Sequence, residues 1–394
     1  MTSTPTLPTG WLLTVEPLGS SLGWSLIRND GRAELIDAGY IPDAQPLHAI
    51  ASALHPSIQA PPNGHRRAGL WASNLTSPDD ELAAASLLGR ALLPQPLSTA
   101  LCRPSTSTAP DTVTIATRGW TSSLPWELLM IDETGTRLLE RALVIGGLTP
   151  VIPASRTRIA PQADPSSPGC AVVDPGPPTG AVPPLYPSGY PDRLTREFNS
   201  VADAITPAGV GTTKDDLAYH LHRMPSRFLY LGHVRPGTDA DNADTALILS
   251  GQGPRGDHLT ARQWLSEAHH WPAPARVALI GCASDDTSTY EQTGLVVSAI
   301  NAGARLVTST RWPLPADHPH PRACTPTQPL NHESLTDLAI AIHDAHTKPT
   351  ALTHLRAWQL SQLTAWKHSG DLHHSPLLWA SPISYISTSG MGSK

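Results

Sequence analysis

Short apolar segments alternate with amphipathic ones through the second half of the chain. Residues 227–233 (RFLYLGH) and 277–282 (VALIGC) are continuous apolar runs of strand length. The segments around them place apolar residues three and four positions apart, which indicates helices. Apolar strands separated by helices are typical of a mostly parallel sheet that is covered on both faces, so we predict an α/β fold. The further strands predicted here are residues 170–173, 246–249 and 305–308, and the helices are residues 194–205, 217–222, 259–268 and 293–302.

The first part of the chain predicts a smaller α/β unit. Two strand-like segments, residues 24–28 and 33–37, flank Asn29-Asp30-Gly31, which suits a hairpin turn. Ser77 and Pro78 predict the start of a helix, because serine caps a helix and proline fits its first position. Two more strands are predicted at residues 112–116 and 138–145.

A segment rich in proline, glycine and serine separates the two parts. It spans residues 150–192 and is interrupted only by the predicted strand at 170–173. Such composition is typical of linkers. We therefore expect an N-terminal α/β domain over residues 1–164 and a second domain over residues 165–394.

Composition excludes several classes of function. The chain has 394 residues, 40% hydrophobic and 15% charged, which suits a packed protein with more than one core. Its net charge of −6 gives no electrostatic reason to expect a nucleic-acid partner. No apolar run is long enough to cross a membrane, and no secretory signal is visible at the N-terminus. We expect a cytoplasmic protein with reduced thiols and no membrane partner.

Two reactive residues stand where predicted strands end. His233 closes the run at 227–233, and Cys282 closes the run at 277–282. The carboxyl ends of parallel strands line the ligand site of an open α/β sheet, so the two residues can meet without being close in sequence. A cysteine nucleophile needs a nearby base that makes its thiolate available at neutral pH. The alternative is that Cys282 is an inert buried cysteine, as most strand cysteines are.

The segments around these two residues resemble CHAT domains, which belong with caspases and separases. RFLYLGHV and VALIGCASDD are similar to the two family strands that end in histidine and cysteine, and position 282 follows position 233 by 49 residues, close to the spacing in caspases. The other matching segments are residues 124–129 (LPWELL), 303–305 (GAR) with Trp312-Pro313, and 376–380 (PLLWA), which resembles the closing strand. The similarity covers roughly residues 120–386 in the family order.

The resemblance implies a caspase-like α/β fold and a cysteine endopeptidase. Cys282 would be the nucleophile and His233 the base, and the oxyanion hole would use the backbone N–H groups of Cys282 and Val234. The family usually has glycine after the histidine, and the β-branched Val234 restricts the backbone there, which puts efficient oxyanion stabilisation in doubt. Asp285 and Asp286 would meet a basic residue of the substrate, unless they only end a strand in a solvated turn.

The resemblance also sets expectations for binding. Residues 313–328, which follow the strand of Trp312, would form a wall of the substrate groove, with Trp312 among the substrate-binding residues. The N-terminal domain would be a degenerate caspase-like domain packed as in separases. A protein or peptide substrate and an activating protein partner are expected, and no cofactor is.

Two functions other than proteolysis stay open. The first is a degenerate CHAT pseudoenzyme that acts as a protein-binding or signalling module. The second is a thiol acyl transferase or peptide ligase that uses the same nucleophile on another acceptor.

Other motifs carry less weight. Residues 251–256 match GxGxxG, but Thr260 and Gln263 form a capping box that begins the helix after the glycines. We therefore predict a loop there rather than a dinucleotide site. The pairs at 269–270 and 373–374 and the group His318, His320 and Cys324 lack the spacing and ligand count of a zinc site, so no metal is expected.

Overall fold

The computed structural model describes most of the chain. The described residues are 10–54, 75–103, 110–149, 151–162, 164–175, 185–186, 191–199, 205–206, 212–235, 237, 242–249, 257–281, 294–312, 314 and 334–387. Within these ranges no helix is both long and apolar enough to cross a membrane.

The N-terminal part begins with an antiparallel three-stranded meander. Its strands are β1 (Gly10–Leu18), β2 (Ser21–Asn29) and β3 (Ala33–Ile41). Asn29 pairs with Ala33 across the predicted hairpin turn, where Gly31 has a φ of +101°. Glycine adopts such an angle without strain, so the turn prediction is confirmed.

Helices and two parallel strands follow the meander. They are α1 (Gln45–Leu54), α2 (Pro78–Leu92), α3 (Gln95–Cys102), β4 (Asp111–Thr117), α4 (Leu138–Arg141), β5 (Ala142–Gly146) and α5 (Val151–Ser155). Ser77 caps α2, as predicted, by accepting a hydrogen bond from the Asp80 backbone N–H. The strand predicted at 138–145 begins only at Ala142. Its first residues form α4 because the Glu140 carboxylate accepts the Arg137 N–H at 2.7 Å and starts a helical turn.

The C-terminal part alternates strands and helices, as predicted. Its elements are β6 (Cys170–Val173), α6 (Asp192–Asn199), β7 (Ile205–Thr206), α7 (Lys214–His222), β8 (Arg227–Leu231), β9 (Val234–Arg235), β10 (Ala246–Ile248), β11 (His258–Thr260), α8 (Ala261–Ser266), β12 (Arg276–Ile280), α9 (Leu295–Asn301), β13 (Leu306–Thr310), α10 (Ser334–His346), α11 (Ala351–Ser369), α12 (Pro376–Trp379) and β14 (Pro382–Ile386).

Three predicted elements of the C-terminal part differ from the structure. The helix predicted at 194–205 ends at Asn199, and Ile205 already belongs to β7. The helix predicted at 259–268 begins at Ala261, because the Thr260 side chain caps it and residues 258–260 form β11. The closing strand is β14, whereas PLLWA forms the short helix α12, which the side chain of Ser375 caps.

Within the described residues one eleven-stranded sheet runs through both parts of the chain. The strand order is β3-β2-β1-β4-β5-β14-β13-β12-β8-β6-β7. Most neighbours are parallel, and the antiparallel pairs are β3–β2, β2–β1 and β14–β13. The predicted mostly parallel α/β sheet is therefore confirmed. Strands from both sides of the 164/165 boundary share this sheet, and the boundary itself stays a prediction.

Strand β14 joins the two parts. Tyr385 pairs with Gly146 of β5, and a Cβ on that glycine would lie 2.2 Å from the Tyr385 ring. Gly146 thus leaves the space in which the ring lies. Arg356 of α11 adds hydrogen bonds to the backbone carbonyls of Leu139, Glu140 and Ala142.

Tryptophan side chains fill the core at this junction. Trp126, Trp312 and Trp379 are fully buried and pack in one apolar cluster. Trp126, Trp312 and Trp379 each donate their indole N–H to a backbone carbonyl. A buried indole fills a large volume and still finds a polar partner, which accounts for part of the tryptophan-rich composition.

Candidate functional site

The site is built where β8 and β12 end side by side. The two strands are parallel, and their last paired residues are Leu231 and Ile280. Beyond that pair the Gly232 N–H still donates to the Ile280 carbonyl at 3.0 Å. His233 follows on one strand and Gly281 on the other. The strand end that carries His233 and the strand end that leads to Cys282 therefore lie side by side at the same edge of the sheet.

The cysteine side of the pair is only partly described. Cys282, Asp285 and Asp286 lie outside the described residues, as do most of residues 313–328. What the structure gives on this side is the backbone that leads to position 282, ending at Gly281.

Two glycines let the strand ends approach closely. A Cβ on Gly281 would lie 2.8 Å from the Gly232 carbonyl oxygen and 2.8 Å from Val234 Cγ2. A Cβ on Gly232 would lie 2.6 Å from the hydroxyl oxygen of Tyr230. Side chains cannot approach other atoms at these distances. The glycines before the histidine and before the cysteine are thus required by packing.

His233 lies in a tightly held turn between β8 and β9. His233 is only 5% exposed. Its carbonyl accepts the Ile248 N–H at 3.0 Å and lies 2.6 Å from the Tyr230 hydroxyl. The backbone that carries the imidazole is therefore fixed from two sides.

Val234 begins β9, at the edge of a second sheet with the order β11-β10-β9. Val234 faces Leu247 of β10, and the hydrogen bond from the Ile248 N–H to the His233 carbonyl lies beside this pair. In antiparallel pairing such a residue directs its own N–H and carbonyl away from the partner strand. The Val234 N–H therefore points away from β10.

Thr310, the last residue of β13, contacts the backbone that leads to Cys282. Its hydroxyl accepts the Gly281 N–H at 3.1 Å and donates to the Gly281 carbonyl at 2.5 Å. Backbone pairing between β12 and β13 ends one step earlier, at Leu279 and Ser309. The threonine side chain thus continues the hydrogen bonding where the ladder stops.

Trp312 does not expose its ring. It is fully buried in the core at the junction, and its indole N–H donates to the Leu377 carbonyl at 2.9 Å. The role of Trp312 in substrate binding stays a prediction, and in this structure the ring packs as a core side chain.

Asp174 is a further residue at this edge that the sequence reasoning did not single out. It follows β6, the neighbour of β8, and its N–H donates to the Leu231 carbonyl at 2.6 Å. Its carboxylate accepts the Tyr186 N–H at 3.1 Å, and its φ is +42°. The signal was present, because an aspartate directly after an apolar strand meets the same strand-end rule that selected His233.

The paired histidines at 373–374 bind separate partners. His373 Nε2 lies 3.0 Å from Asp337 Oδ2 and its Nδ1 lies 2.9 Å from Ser334 Oγ, whereas His374 Nδ1 lies 2.7 Å from Gln362 Oε1. Among the described residues no group of three or more histidine, cysteine, aspartate or glutamate side chains could hold a metal. His318, His320, Cys324 and residues 251–256 lie outside the described part of the chain.

Solved structures that are similar to this chain share little sequence identity with it. A chain of the Saccharomyces cerevisiae separase–securin complex matches with a TM-score of 0.52 and 8% identity, covering 95% of this chain and 30% of that chain. A second structure of this complex gives a TM-score of 0.47 at 10% identity, covering 95% of this chain and 30% of that chain. A complex of Porphyromonas gingivalis RgpB pro- and mature domains gives 0.41 at 8% identity, covering 74% of this chain and 68% of that chain.

These matches bear on the fold alone, and this chain spans less than a third of the length of the separase chains. No curated protein matches the sequence. The family comparison is more extensive, since the CHAT domain matches residues 82–387 and so includes β8, β12 and β14. The caspase-like α/β fold and this match together confirm the fold and the family that the sequence motifs predicted. The chain belongs to the CHAT domain family.

Proposed function

We propose that this chain is a cysteine endopeptidase in which His233 and Cys282 form the catalytic dyad. The supporting observation is the register of β8 and β12, in which Leu231 pairs with Ile280. His233 and Cys282 each follow that pair by two residues. Cys282 directly follows Gly281, the last described residue at this strand end.

The dyad would carry the proton through both halves of the reaction. His233 takes the Cys282 thiol proton, and the thiolate attacks the substrate carbonyl carbon. The carbonyl oxygen becomes negative and is stabilised by the backbone N–H groups of Val234 and Cys282. Collapse of this tetrahedral intermediate breaks the peptide C–N bond, and the His233 imidazolium gives its proton to the leaving amine. Water then hydrolyses the thioester, with His233 again as the base.

The substrate would be a protein or peptide. Asp285 and Asp286 would supply negative charge to a basic residue before the scissile bond, and an activating protein partner would regulate access. The chemistry needs no cofactor, because base, nucleophile and oxyanion donors all come from the chain.

The test is thiol labelling of the folded protein with a peptide acyloxymethyl ketone, read out site by site by mass spectrometry. Cys102 is exposed and serves as an internal reference thiol. Cys170 serves as a buried reference, because burial raises the pKa of its thiol to about 12. We expect Cys282 to react at least about tenfold faster than Cys102 at pH 7, and His233→Ala to remove that advantage.

Each other result selects another function. If Cys282 reacts no faster than Cys102 and His233→Ala changes nothing, the dyad is not assembled in the isolated chain, which favours the pseudoenzyme. If Cys282 reacts fast, but a peptide substrate incubated with the protein yields a product joined to an added amine acceptor instead of a free carboxylate, the chain is a transferase or ligase. Both results would contradict the endopeptidase proposal.

A further inference from the structure

Two buried hydroxyl groups lie against the backbone on either side of the proposed dyad. We infer that Thr310 and Tyr230 are positioning residues, Thr310 for Cys282 and Tyr230 for His233. This inference rests on the proposed function, because it assigns both hydroxyls to the dyad proposed above.

Thr310 restrains the residue directly before the nucleophile. Gly281 cannot be held by a side chain of its own, since a Cβ there would overlap Gly232 and Val234. The hydroxyl of Thr310 instead binds both backbone groups of Gly281. Thr310 is fully buried, so water does not compete for these hydrogen bonds. The direction in which the chain leaves toward Cys282 is thereby set by one side chain on the neighbouring strand.

Tyr230 restrains the turn that carries the base. Its hydroxyl lies 2.6 Å from the His233 carbonyl oxygen and 2.8 Å from the Ile248 carbonyl oxygen. The ring is fully buried under the turn, where Gly232 leaves room for it. Because His233 hydrogen-bonds through its carbonyl to two elements, β8 and β10, the path of its backbone is determined before any substrate binds.

The anchoring of Thr310 continues into the next residue. Arg311 is fully buried, and its guanidinium binds the Glu127 carboxylate with N–O distances of 2.6 and 2.7 Å. Thr310 therefore stands between a backbone ladder on one side and a buried ion pair on the other. A side chain fixed in this way can hold Gly281 without moving itself.

A purely structural role for these hydroxyls is the simpler reading, and Thr308 provides the matched control for it. Thr308 lies on the same strand, is equally buried, and binds His346 and Ser384 through its hydroxyl, away from the dyad. If burial of a hydroxyl in β13 were all that mattered, Thr308→Val and Thr310→Val would have the same effects.

The first measurement follows the backbone and needs no activity. Hydrogen exchange at the Gly281 amide, read by mass spectrometry with electron-transfer fragmentation, should be roughly tenfold faster in Thr310→Val than in wild type. Thr310→Ser keeps the hydroxyl and should retain the protection. Thr308→Val should leave the Gly281 amide unchanged. Equal exchange in Thr310→Val and Thr308→Val would overturn the inference.

The second measurement follows the thiol of Cys282. The pH profile of its alkylation by iodoacetamide should shift toward that of an ordinary thiol, near pH 8.5, in Thr310→Val and Tyr230→Phe. The rate at pH 7 should fall by on the order of a hundredfold. Thr310→Ser should keep both the profile and the rate, and Thr308→Val should keep the profile. Profiles unchanged in both hydroxyl-deleted variants would contradict the positioning role.

The two proposals fail in different ways. A wild-type Cys282 whose rate does not depend on His233 refutes the dyad, and with it the assignment of the hydroxyls to it. A wild-type rate that depends on His233 but survives Thr310→Val and Tyr230→Phe refutes the positioning role alone. If Thr310→Val does not fold, as judged by thermal melting, the profile of Tyr230→Phe decides whether the hydroxyls position the dyad.

Discussion

Replacing Glu127 with glutamine removes one charge of the ion pair that ties the N-terminal part to β13. Glu127 lies in the 3₁₀ turn Trp126–Leu128, inside the segment LPWELL. Both of its oxygens accept hydrogen bonds from Arg311, and the two side chains are only 2% and 0% exposed. The variant would leave the guanidinium charge buried without its counter-charge.

The size of the effect follows from that burial. Removing one partner of a buried ion pair costs about 3–5 kcal/mol, because the remaining charge is desolvated and uncompensated. The carbonyls of Leu124 and Ala380, at 3.4 and 3.2 Å from Arg311, offset part of this cost. We therefore expect Glu127→Gln to lose about 3 kcal/mol of unfolding free energy, near the lower end of that range.

Urea denaturation followed by tryptophan fluorescence measures this loss. The control is Lys367→Gln, which breaks the pair between Lys367 and Glu140, whose side chains are 38% and 32% exposed. An exposed pair of this kind contributes about 1 kcal/mol or less. The double variant Glu127→Gln/Arg311→Met should recover part of the loss, because it leaves no unpaired charge. A loss no larger in Glu127→Gln than in Lys367→Gln would refute the reasoning.

The remaining predictions concern packing, acid sensitivity and the oxyanion donor. Gly89→Ala should destabilise the fold although alanine favours helices, since its Cβ would lie 2.1 Å from the Met130 carbonyl oxygen, and a lowered melting temperature would show this. Burial lowers the pKa of His343 to about 4 and of His346 to about 3, so only the unfolded chain gains these protons as the pH falls below about 6.5. Unfolding free energies at pH 6.5 and pH 5 should therefore differ by about 2 kcal/mol per histidine, with lower stability at pH 5, and His343→Leu should remove its share. Val234→Gly should slow the reaction of Cys282 with the peptide acyloxymethyl ketone roughly tenfold, because attack on the ketone carbonyl places negative charge on its oxygen, and a faster reaction would contradict this expectation.

Local sequence signals predicted many of the helices and strands, but not β1, α10 or α11, and not all of the boundaries. The hairpin turn at Gly31 and the helix cap at Ser77 each depend on a few residues that are adjacent in sequence, and both were predicted. The segment at 138–145 was misassigned because its apolar residues suit a strand, while the contact between Arg137 and Glu140 starts a helical turn. Where two local signals compete, hydrophobic periodicity alone does not decide the boundary.

Pairing between distant strands could not be predicted in the same way. The sequence gives no sign that residues 246–248 leave the main sheet for a second sheet with β9 and β11. Nor does it show that Tyr385 pairs with Gly146, which depends on packing between segments more than 200 residues apart. Register between such segments is set by the assembled core.

The same distinction separates the parts of the candidate site. His233 and Cys282 could be selected as candidates from the sequence, because each stands at the carboxyl end of an apolar run of strand length. Thr310 and Tyr230 carry no such signal, since their importance comes from which backbone atoms lie opposite them in neighbouring strands. Residues that position a site are therefore harder to find from one sequence than the residues that act in it.

Val234 shows how a residue that looks unfavourable by a local rule can suit its place in the fold. A β-branched side chain restricts the backbone to extended angles, which was the reason to doubt its N–H as an oxyanion donor. Val234 begins a strand, however, and extended angles are those that its pairing with Leu247 requires. That pairing directs the Val234 N–H away from β10, and the side chain packs against Gly281 on the cysteine strand. Glycine at this position would lose the packing and add backbone freedom at the one point where a donor must be aimed, so the valine is expected to favour the proposed chemistry.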